Sequence, residues 1–425
     1  MTGEKSIVFI TQSFPPEKGG NASRISDTAH HLSAKGWSVT ILTPPPTIPA
    51  GRYPRVWQRK RQENSGGVTV HRLWTWQPQV EDPGLLKRLP YYLLFGIHAM
   101  WWLVWNMREY ELVFVSSPPI STGAPGILAS LLGKSVTVDI RDLWIEVAVA
   151  LGYLQQDSVI ARISRKFQSL MLRRADRITV TTQTLADHLL QRYGTDLSEK
   201  IRIIPNGVDT ELFDCHTSLS APNKELTRLK TTPIQTDGAG PPIIVYTGNF
   251  GSAQALENVV EAMEYLSHDT ARLQLVGSGD RESRLKSLVS ARDLSHRVDF
   301  FEPVSREKIP EILCTATIGI APLKKNPELS YAVPTKLFEY HACGLPTIVS
   351  GSGEIRRFIE ESGGGMHTSL DPPEIAHVID ELLIDEVSRR KMSQAGHRFV
   401  NTRYDRSVIA DTLDHELQEL VQTDG

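Results

Sequence analysis

Residues 243–266 read IIVYTGNFGSAQALENVVEAMEYL, and this stretch decides the fold. Residues 243–247 form an apolar, β-branched and aromatic run of the kind a buried strand requires. Gly248 and Gly251 break that run, and a helical pattern then spans 255–266. A strand that turns through glycines into a helix opens a βα unit. Its loop can offer backbone N–H groups to a phosphate at the point where the helix begins.

Outward from this unit the same alternation repeats. Strand signals at 272–276, 298–301, 318–322 and 347–350 alternate with helix signals at 281–291, 306–314, 335–343 and 354–361. On the other side, strands are expected at 6–11, 38–43, 112–116, 136–139, 177–181 and 201–204, with helices at 22–35 and 160–174. Between the two series, residues 214–242 are polar, rich in Pro, Thr and Ser, and without periodicity. The chain therefore reads as α/β, with two doubly wound, Rossmann-like domains at 1–205 and 243–397 and a linker or surface excursion at 206–242. Ligands of such sheets sit at the carboxyl ends of the strands, so the expected site is an interdomain cleft.

Size and composition agree. A chain of 425 residues and 47.4 kDa is too long for one ordinary core. With 40% hydrophobic and 22% charged residues it is not a disordered chain, and a net charge of −3 opposes a dedicated nucleic-acid binder. Cys215, Cys314 and Cys343 are scattered and odd in number, so no disulfide framework or metal knuckle is expected and the chain reads as intracellular. The first eleven residues carry only a short apolar run after Lys5, within Ser6–Thr11, a first strand and not a signal peptide.

The near-neutral total hides an asymmetry. Residues 1–205 hold 24 Lys and Arg against 16 Asp and Glu, while the rest of the chain holds 22 against 33. All eight tryptophans lie at or before Trp144. A basic, Trp-rich half suits a surface that is anionic and partly apolar. Residues 85–113, LLKRLPYYLLFGIHAMWWLVWNMREYELV, sharpen the point. The 17 residues from Leu89 to Trp105 are at the short limit for a membrane span and are broken by Pro90, Gly96 and His98. A buried amphipathic helix is the plain alternative. The expectation adopted is a peripheral membrane patch in which Tyr91, Tyr92, Phe95, Trp101, Trp102 and Trp105 dip into a bilayer beside basic neighbours.

Several motifs fail on inspection. Gly133-Lys134-Ser135 lacks the earlier P-loop glycine, since position 128 is Leu, and Gly277-Ser278-Gly279 lacks the third glycine of a dinucleotide fingerprint, since position 282 is Glu. There is no GxSxG elbow, no HExxH and no Asp-x-Asp pair.

Four constellations survive. The first is the loop Pro15-Pro16-Glu17-Lys18-Gly19-Gly20, where glycines admit a close ligand ahead of a helix N-terminus. The second is Asp139-Ile140-Arg141-Asp142-Leu143-Trp144-Ile145-Glu146, ionisable residues expected to be exposed at a strand end, against the alternative of a structural salt bridge from Arg141. The third is Gly248-Asn249-Phe250-Gly251. The fourth is residues 330–346, SYAVPTKLFEYHACGLP: Pro334 opens a helix, Gly344 and Pro346 close it, and Lys336 and Glu339 share a face near its start. A cation at a helix start suits a diphosphate, and a carboxylate suits ribose hydroxyls.

Together with Ile204-Pro205-Asn206-Gly207-Val208-Asp209 and Val276-Gly277-Ser278-Gly279, these residues resemble family-4 retaining glycosyltransferases of GT-B fold over essentially the whole chain. The Arg-Asp-Leu-Trp cluster, the Gly-Asn-Phe-Gly segment with Gln254 and Leu256, and Val-Pro-x-Lys-x-x-Glu-Tyr are similar to the N-acetylfucosaminyltransferase-like branch, whose members assemble surface polysaccharides on lipid carriers. The resemblance implies an acceptor-side first domain and a nucleotide-sugar donor, UDP-linked by family habit although GDP occurs, held by the second domain. Glu339 matches the second Glu of the family's Glu-x7-Glu motif, which holds the ribose. Val304, with Glu302 and Pro303, matches the stretch that reads the base, Gly19 and Gly20 match the loop beside the phosphates, and Gly248, Asn249, Gly251 and Gly277 fall in the donor loops. Helices from about 398 to 425 are implied to return to the first domain.

Three positions depart from the pattern. Tyr331 stands where the first Glu of the motif belongs, Asn249 and Gln254 stand for the Arg and Lys that clamp the diphosphate, and Arg141 stands for a His of the first domain. Lys336 is then the residue expected to take over the phosphate charge, with Arg141, Asp142 and Glu146 facing sugar or acceptor. The expected activity is retaining transfer of a hexosyl or N-acetylhexosaminyl-type sugar to a lipid-linked glycan at the cytoplasmic face of a membrane. No cofactor or metal is expected, beyond Mg²⁺ carried by the donor. The alternatives are a GT-B nucleotide-sugar epimerase and a non-catalytic nucleotide-sugar-binding scaffold.

Overall fold

The computed structural model describes residues 5–17, 19–47, 53–57, 60–79, 85–150, 152–215 and 240–423. The chain forms two compact units, Met1–Asn206 with Arg406–Gly425, and Gly207–Asp405.

The first unit is built on eight strands: β1 Ser6–Ile10, β2 Ser38–Thr43, β3 Lys60–Ser65, β4 Val68–Leu73, β5 Leu112–Ser117, β6 Ser135–Ile140, β7 Arg177–Val180 and β8 Ile201–Ile203. Their order is β3-β4-β2-β1-β5-β6-β7-β8, parallel throughout except for the β3–β4 hairpin. Central strands such as β1 and β5 are covered on both faces, which is why they read as continuous apolar runs. On one face Ile25, Ala29 and Leu32 of the helix Gly20–Ala34 meet Ile409, Leu413 and Leu417 of the last helix, Arg406–Thr423. The indole of Trp37 donates to Asp414 at 2.7 Å and fastens that helix to the sheet. The other face carries the helices Leu85–Asn106, Gly123–Leu131 and Val159–Arg174.

The helix Leu85–Asn106 corrects the aromatic patch. Tyr91 (2% exposed), Phe95 (0%) and Trp102 (9%) face the core. A period of 3.6 residues puts 91, 95, 99, 102 and 103 on one inward stripe. The outward stripe is Leu93, Ile97, Trp101, Val104 and Trp105, with Trp101 and Trp105 at 65% and 74% exposure. Gly96 lies on the inward side, where a Cβ would stand 3.0 Å from the carbonyl oxygen of Ser121. Among the described residues, no helix is long and apolar enough to cross a membrane.

The second unit has six parallel strands: β9 Ile243–Asn249, β10 Arg272–Ser278, β11 Val298–Phe301, β12 Ile318–Ala321, β13 Thr347–Val349 and β14 Gly365–His367. Their order is β11-β10-β9-β12-β13-β14, so the winding direction reverses between β9 and β12. That reversal is the switch point at which ligands of open α/β sheets bind. Two boundaries differ from the sequence expectation. Val208 and Phe213 are buried in this unit's core, so 207–213 is not linker, and residues 216–239 lie outside the described residues. The helix Glu386–Arg403 stays in this unit through Phe399 and Val400, and the return to the first unit begins at Arg406.

Cys215 and Cys314 form a disulfide, where no disulfide framework was expected, and Cys343 is free. Sequence spacing gave no sign of this pairing because the two residues are 99 positions apart.

The core of the second unit also contains His341, stacked on Phe358 at 5.3 Å between the backbones of Gly364 and Gly396. Burial pushes its pKa from 6.5 down to about 4. The unfolded chain therefore takes up a proton here before the folded one does, so stability is full above pH 6.5 and falls as pH drops toward 4. Urea unfolding followed across that range is expected to show a loss of about 2–3 kcal/mol from this residue. A His341→Phe variant should lack that component of the pH dependence.

Candidate active site

Glycines set the geometry of the site in the second unit. Gly277, at the end of β10, has φ +149°, and a Cβ there would come within 1.9 Å of the carbonyl oxygen of Gly248 at the end of β9. At Gly279 a Cβ would approach the Phe250 carbonyl oxygen at 2.5 Å. The two strand ends can close on each other only because these side chains are missing. Phe250 N–H then donates to the Ser278 carbonyl at 2.8 Å, and Arg281 N–H to that of Phe250 at 3.0 Å.

The helix Thr335–Ala342 is locked to this loop by Tyr340. Its hydroxyl accepts from Thr247 N–H at 2.8 Å, and its ring fits against β12 where Gly319 leaves space, a Cβ there being 2.5 Å from the ring. Lys336, one turn earlier on the same face, is thereby carried to the end of β9. Its ammonium lies 3.5 Å from the centroid of the Tyr246 ring, a cation–π contact, and 3.3 Å from where a Cβ of Gly248 would be. Tyr246 is itself fixed by donating to the Asn249 carbonyl at 2.7 Å. Burial lowers the Lys336 pKa from 10.5 to about 7, with Glu339 pulling it upward. A Cβ on Gly251 would stand 2.7 Å from both Asn249 Nδ2 and Gln254 Oε1, so the two carboxamides converge over that glycine. The loop before the helix is held from below: Glu354 N–H donates to the Ser330 carbonyl at 2.7 Å, where Gly353 takes φ +76°.

The structure thus brings Gly248, Asn249, Gly251, Gly277 and Lys336 together at the switch point, with Glu339 half-buried on the same helix. Tyr331 is buried. Val304 follows β11, two strands away from β9, and packs half-buried on the core. A poised cation among neutral amides and backbone, at the carboxyl end of a parallel sheet, can bind and stabilise an anion such as a diphosphate.

The remaining expected residues belong to the first unit. Gly19 precedes the helix Gly20–Ala34 with φ 150°. Just after β6, Asp142 is half-exposed, whereas the Arg141 side chain is only 10% exposed and does not meet the expectation of an exposed strand end. Arg141 lies 3.5 Å from the buried Asp139, the salt bridge weighed against function, and burial lowers its pKa to about 10. Glu146 is not exposed: it is buried with Arg165 at 3.2 Å and Arg192 at 3.4 Å. It falls on the inner side of the helix Trp144–Ala150, where a carboxylate needs partners of opposite charge.

Arg24 escaped the sequence reading, and Glu17 was quoted there without a role. Arg24 donates to Asp139 at 3.2 Å, to the carbonyls of Ile204 at 2.9 Å and Pro205 at 2.6 Å, and to Asn206 Oδ1 at 3.2 Å. It therefore ties the helix after the glycine loop to the last residues of the unit. Glu17, buried, accepts from Ser13 Oγ at 2.6 Å and Thr47 N–H at 2.7 Å and shapes the loop ahead of Gly19. Arg24 lies one turn after Gly20, a spacing that points to the loop but not to the partners.

Comparison with known proteins gives the same picture. Residues 19–207 match the family model of glycosyl transferase 4-like domains, and residues 231–399 match that of glycosyl transferases group 1. The putative colanic acid biosynthesis glycosyl transferase WcaI of Escherichia coli K12 is 24% identical over 351 residues, covering 81% of this chain and 83% of that protein. Among solved structures, sucrose-phosphate synthase from Thermosynechococcus elongatus superposes with a TM-score of 0.76 at 19% identity, covering 99% of this chain and 100% of the other. Anabaena HepE in complex with UDP and glucose gives 0.70 at 15% identity, covering 97% and 99%. These likenesses identify the fold as GT-B.

Because Gly277 and Gly248 meet backbone to backbone, Gly277→Ala is expected to lower stability by roughly 2–3 kcal/mol or more. Thermal unfolding measured beside the wild type checks this, and an unchanged midpoint would show that the loops do not close as described.

Proposed function

The chain belongs to the group 1 glycosyltransferases, and on that premise we propose that it moves a sugar from a nucleoside diphosphate donor, UDP-linked, to a lipid-linked glycan with retention of configuration. The observation that carries the reading is the Lys336 ammonium seated at Gly248. It supplies a positive charge next to Asn249 and Gln254, which have none to give. Glu339, half-buried one turn along the same helix, is the group we assign to the ribose hydroxyls. The complex of HepE with UDP and glucose supports a uridine nucleotide, and the name of WcaI supports a polysaccharide product.

In the proposed reaction the bond from the sugar's anomeric carbon to the diphosphate breaks, and the acceptor oxygen bonds to that carbon on the same face. The acceptor proton passes to the departing phosphate oxygen. Lys336 and the loop amides stabilise the charge that grows on the leaving group. Arg141, largely buried beside Asp139, and the half-exposed Asp142 are the groups we assign to sugar or acceptor. Glu146, held by Arg165 and Arg192, positions the helix that follows them. The reading requires no metal or cofactor from the protein.

A lipid-linked acceptor calls for a membrane surface. The outward stripe Leu93, Ile97, Trp101, Val104 and Trp105 supports peripheral attachment, which we assign to the cytoplasmic leaflet.

Calorimetric titration with UDP and with GDP tests the donor assignment. UDP is expected to saturate the wild type, and Glu339→Ala to weaken it by about tenfold to a hundredfold, the loss of a charged hydrogen-bond partner. Lys336→Ala should lower transfer from UDP-sugars by at least as much. Near-normal turnover of both variants would refute the site, and absence of nucleotide binding by folded protein would favour the scaffold reading.

A further inference from the structure

The helix Val159–Arg174 carries a second apolar face that the reading above does not use. Val159, Ile160, Ile163 and Leu170 are all exposed on it, although each is a residue a soluble helix would turn inward. Between them stand Arg162 and Lys166, also exposed. The helix Gly123–Leu131 joins this element to the helix Leu85–Asn106. A Cβ on Gly123 would meet Met171 at 2.3 Å, and the Ser121 carbonyl, just before it, faces Gly96 at 3.0 Å. The three helices therefore lie side by side on one face of the β-sheet, and Leu131 and Leu132 are exposed at the end of the middle one.

Charge follows the same layout. The three helices contain seven Lys and Arg and not one Asp or Glu. In a chain with 49 acidic residues, that absence leaves a surface that is apolar and net cationic, although Arg165 and Arg173 are paired with Glu146 and Asp196 of neighbouring elements. Such a combination is complementary to an anionic bilayer, where aliphatic groups enter the headgroup region and each Lys or Arg near the surface adds about 1 kcal/mol.

We propose that Val159–Arg174 is a second membrane-binding element, so that the first unit rests on anionic lipid through a three-helix layer and not through the Trp-bearing helix alone. The inference rests on the membrane reading given above and assigns it a lipid charge and a second contact. Two contacts bound to one rigid sheet also hold the unit in a fixed orientation on the bilayer, which a single helix would not.

The test is co-sedimentation of the full-length protein with vesicles of phosphatidylcholine alone and of phosphatidylcholine mixed with phosphatidylglycerol. Wild type is expected to prefer the mixed vesicles. The double variant Ile160→Ser with Ile163→Ser should partition about tenfold to a hundredfold less, the size expected for two half-exposed aliphatic side chains withdrawn from an apolar phase. Arg162→Gln with Lys166→Gln should lose about thirtyfold on the mixed vesicles and be unchanged on phosphatidylcholine alone. All four positions are exposed, so the variants should keep wild-type thermal unfolding. If Trp101→Ser with Trp105→Ser abolishes binding while the 160–166 variants bind as wild type, the second element is refuted and the membrane reading stands. If wild type binds neither vesicle, both fall. Self-association that the Ile160→Ser, Ile163→Ser variant abolishes, with no vesicle binding, would assign the face to a second copy of the chain and overturn the proposal.

Discussion

The second unit depends on one close approach, the backbone of Gly277 against the carbonyl of Gly248. Any side chain at position 277 would force the ends of β9 and β10 apart. Their closure creates the floor on which the Lys336 ammonium sits, between the Tyr246 ring and the loop backbone. Tyr340 makes the arrangement rigid by bonding Thr247 N–H from the same helix that carries Lys336. The consequence is a cation positioned by packing, with its proton held less firmly than a surface lysine's because its surroundings disfavour charge. Such a group gains most when an anion arrives.

The first unit is organised differently, around the buried carboxylate of Asp139. Arg24, Arg141 and Thr179 surround it, and Arg24 reaches on to Ile204, Pro205 and Asn206. The end of a central strand, the helix after the glycine loop and the last residues of the unit thus share one ion-pair network. Removing either charge of the Arg24–Asp139 pair would leave the other buried without it. The network keeps Arg141 at the strand end, with its side chain largely buried beside Asp139.

The alternation of strands and helices was legible because central parallel strands are apolar on both faces and glycine marks their ends. The helix that carries Lys336 was legible for a similar reason: Pro334 opens it, Gly344 follows its end, and Lys336 and Glu339 lie three residues apart on it. What escaped depends on contacts far apart in sequence. Arg24 meets Ile204 across 180 positions, and Cys215 meets Cys314 across 99. The β3–β4 hairpin was missed because β3, KRQENS, is a polar edge strand without apolar alternation. The helix Leu85–Asn106 was recognised, but its faces were misassigned by counting all aromatics alike. Applying the helical period to Tyr91, Phe95 and Ala99 would have separated core from surface.

The central claim is that Lys336, nearly poised between its two protonation states, completes the anion site when it takes up a proton. Calorimetric titration with UDP at about pH 8, in two buffers of different ionisation enthalpy, reads that proton directly. With the free lysine's pKa near 7 and a diphosphate raising it, the account predicts proton uptake approaching one per UDP bound, absent in Lys336→Met. UDP binding with no proton uptake, or with the same uptake in Lys336→Met, would contradict it.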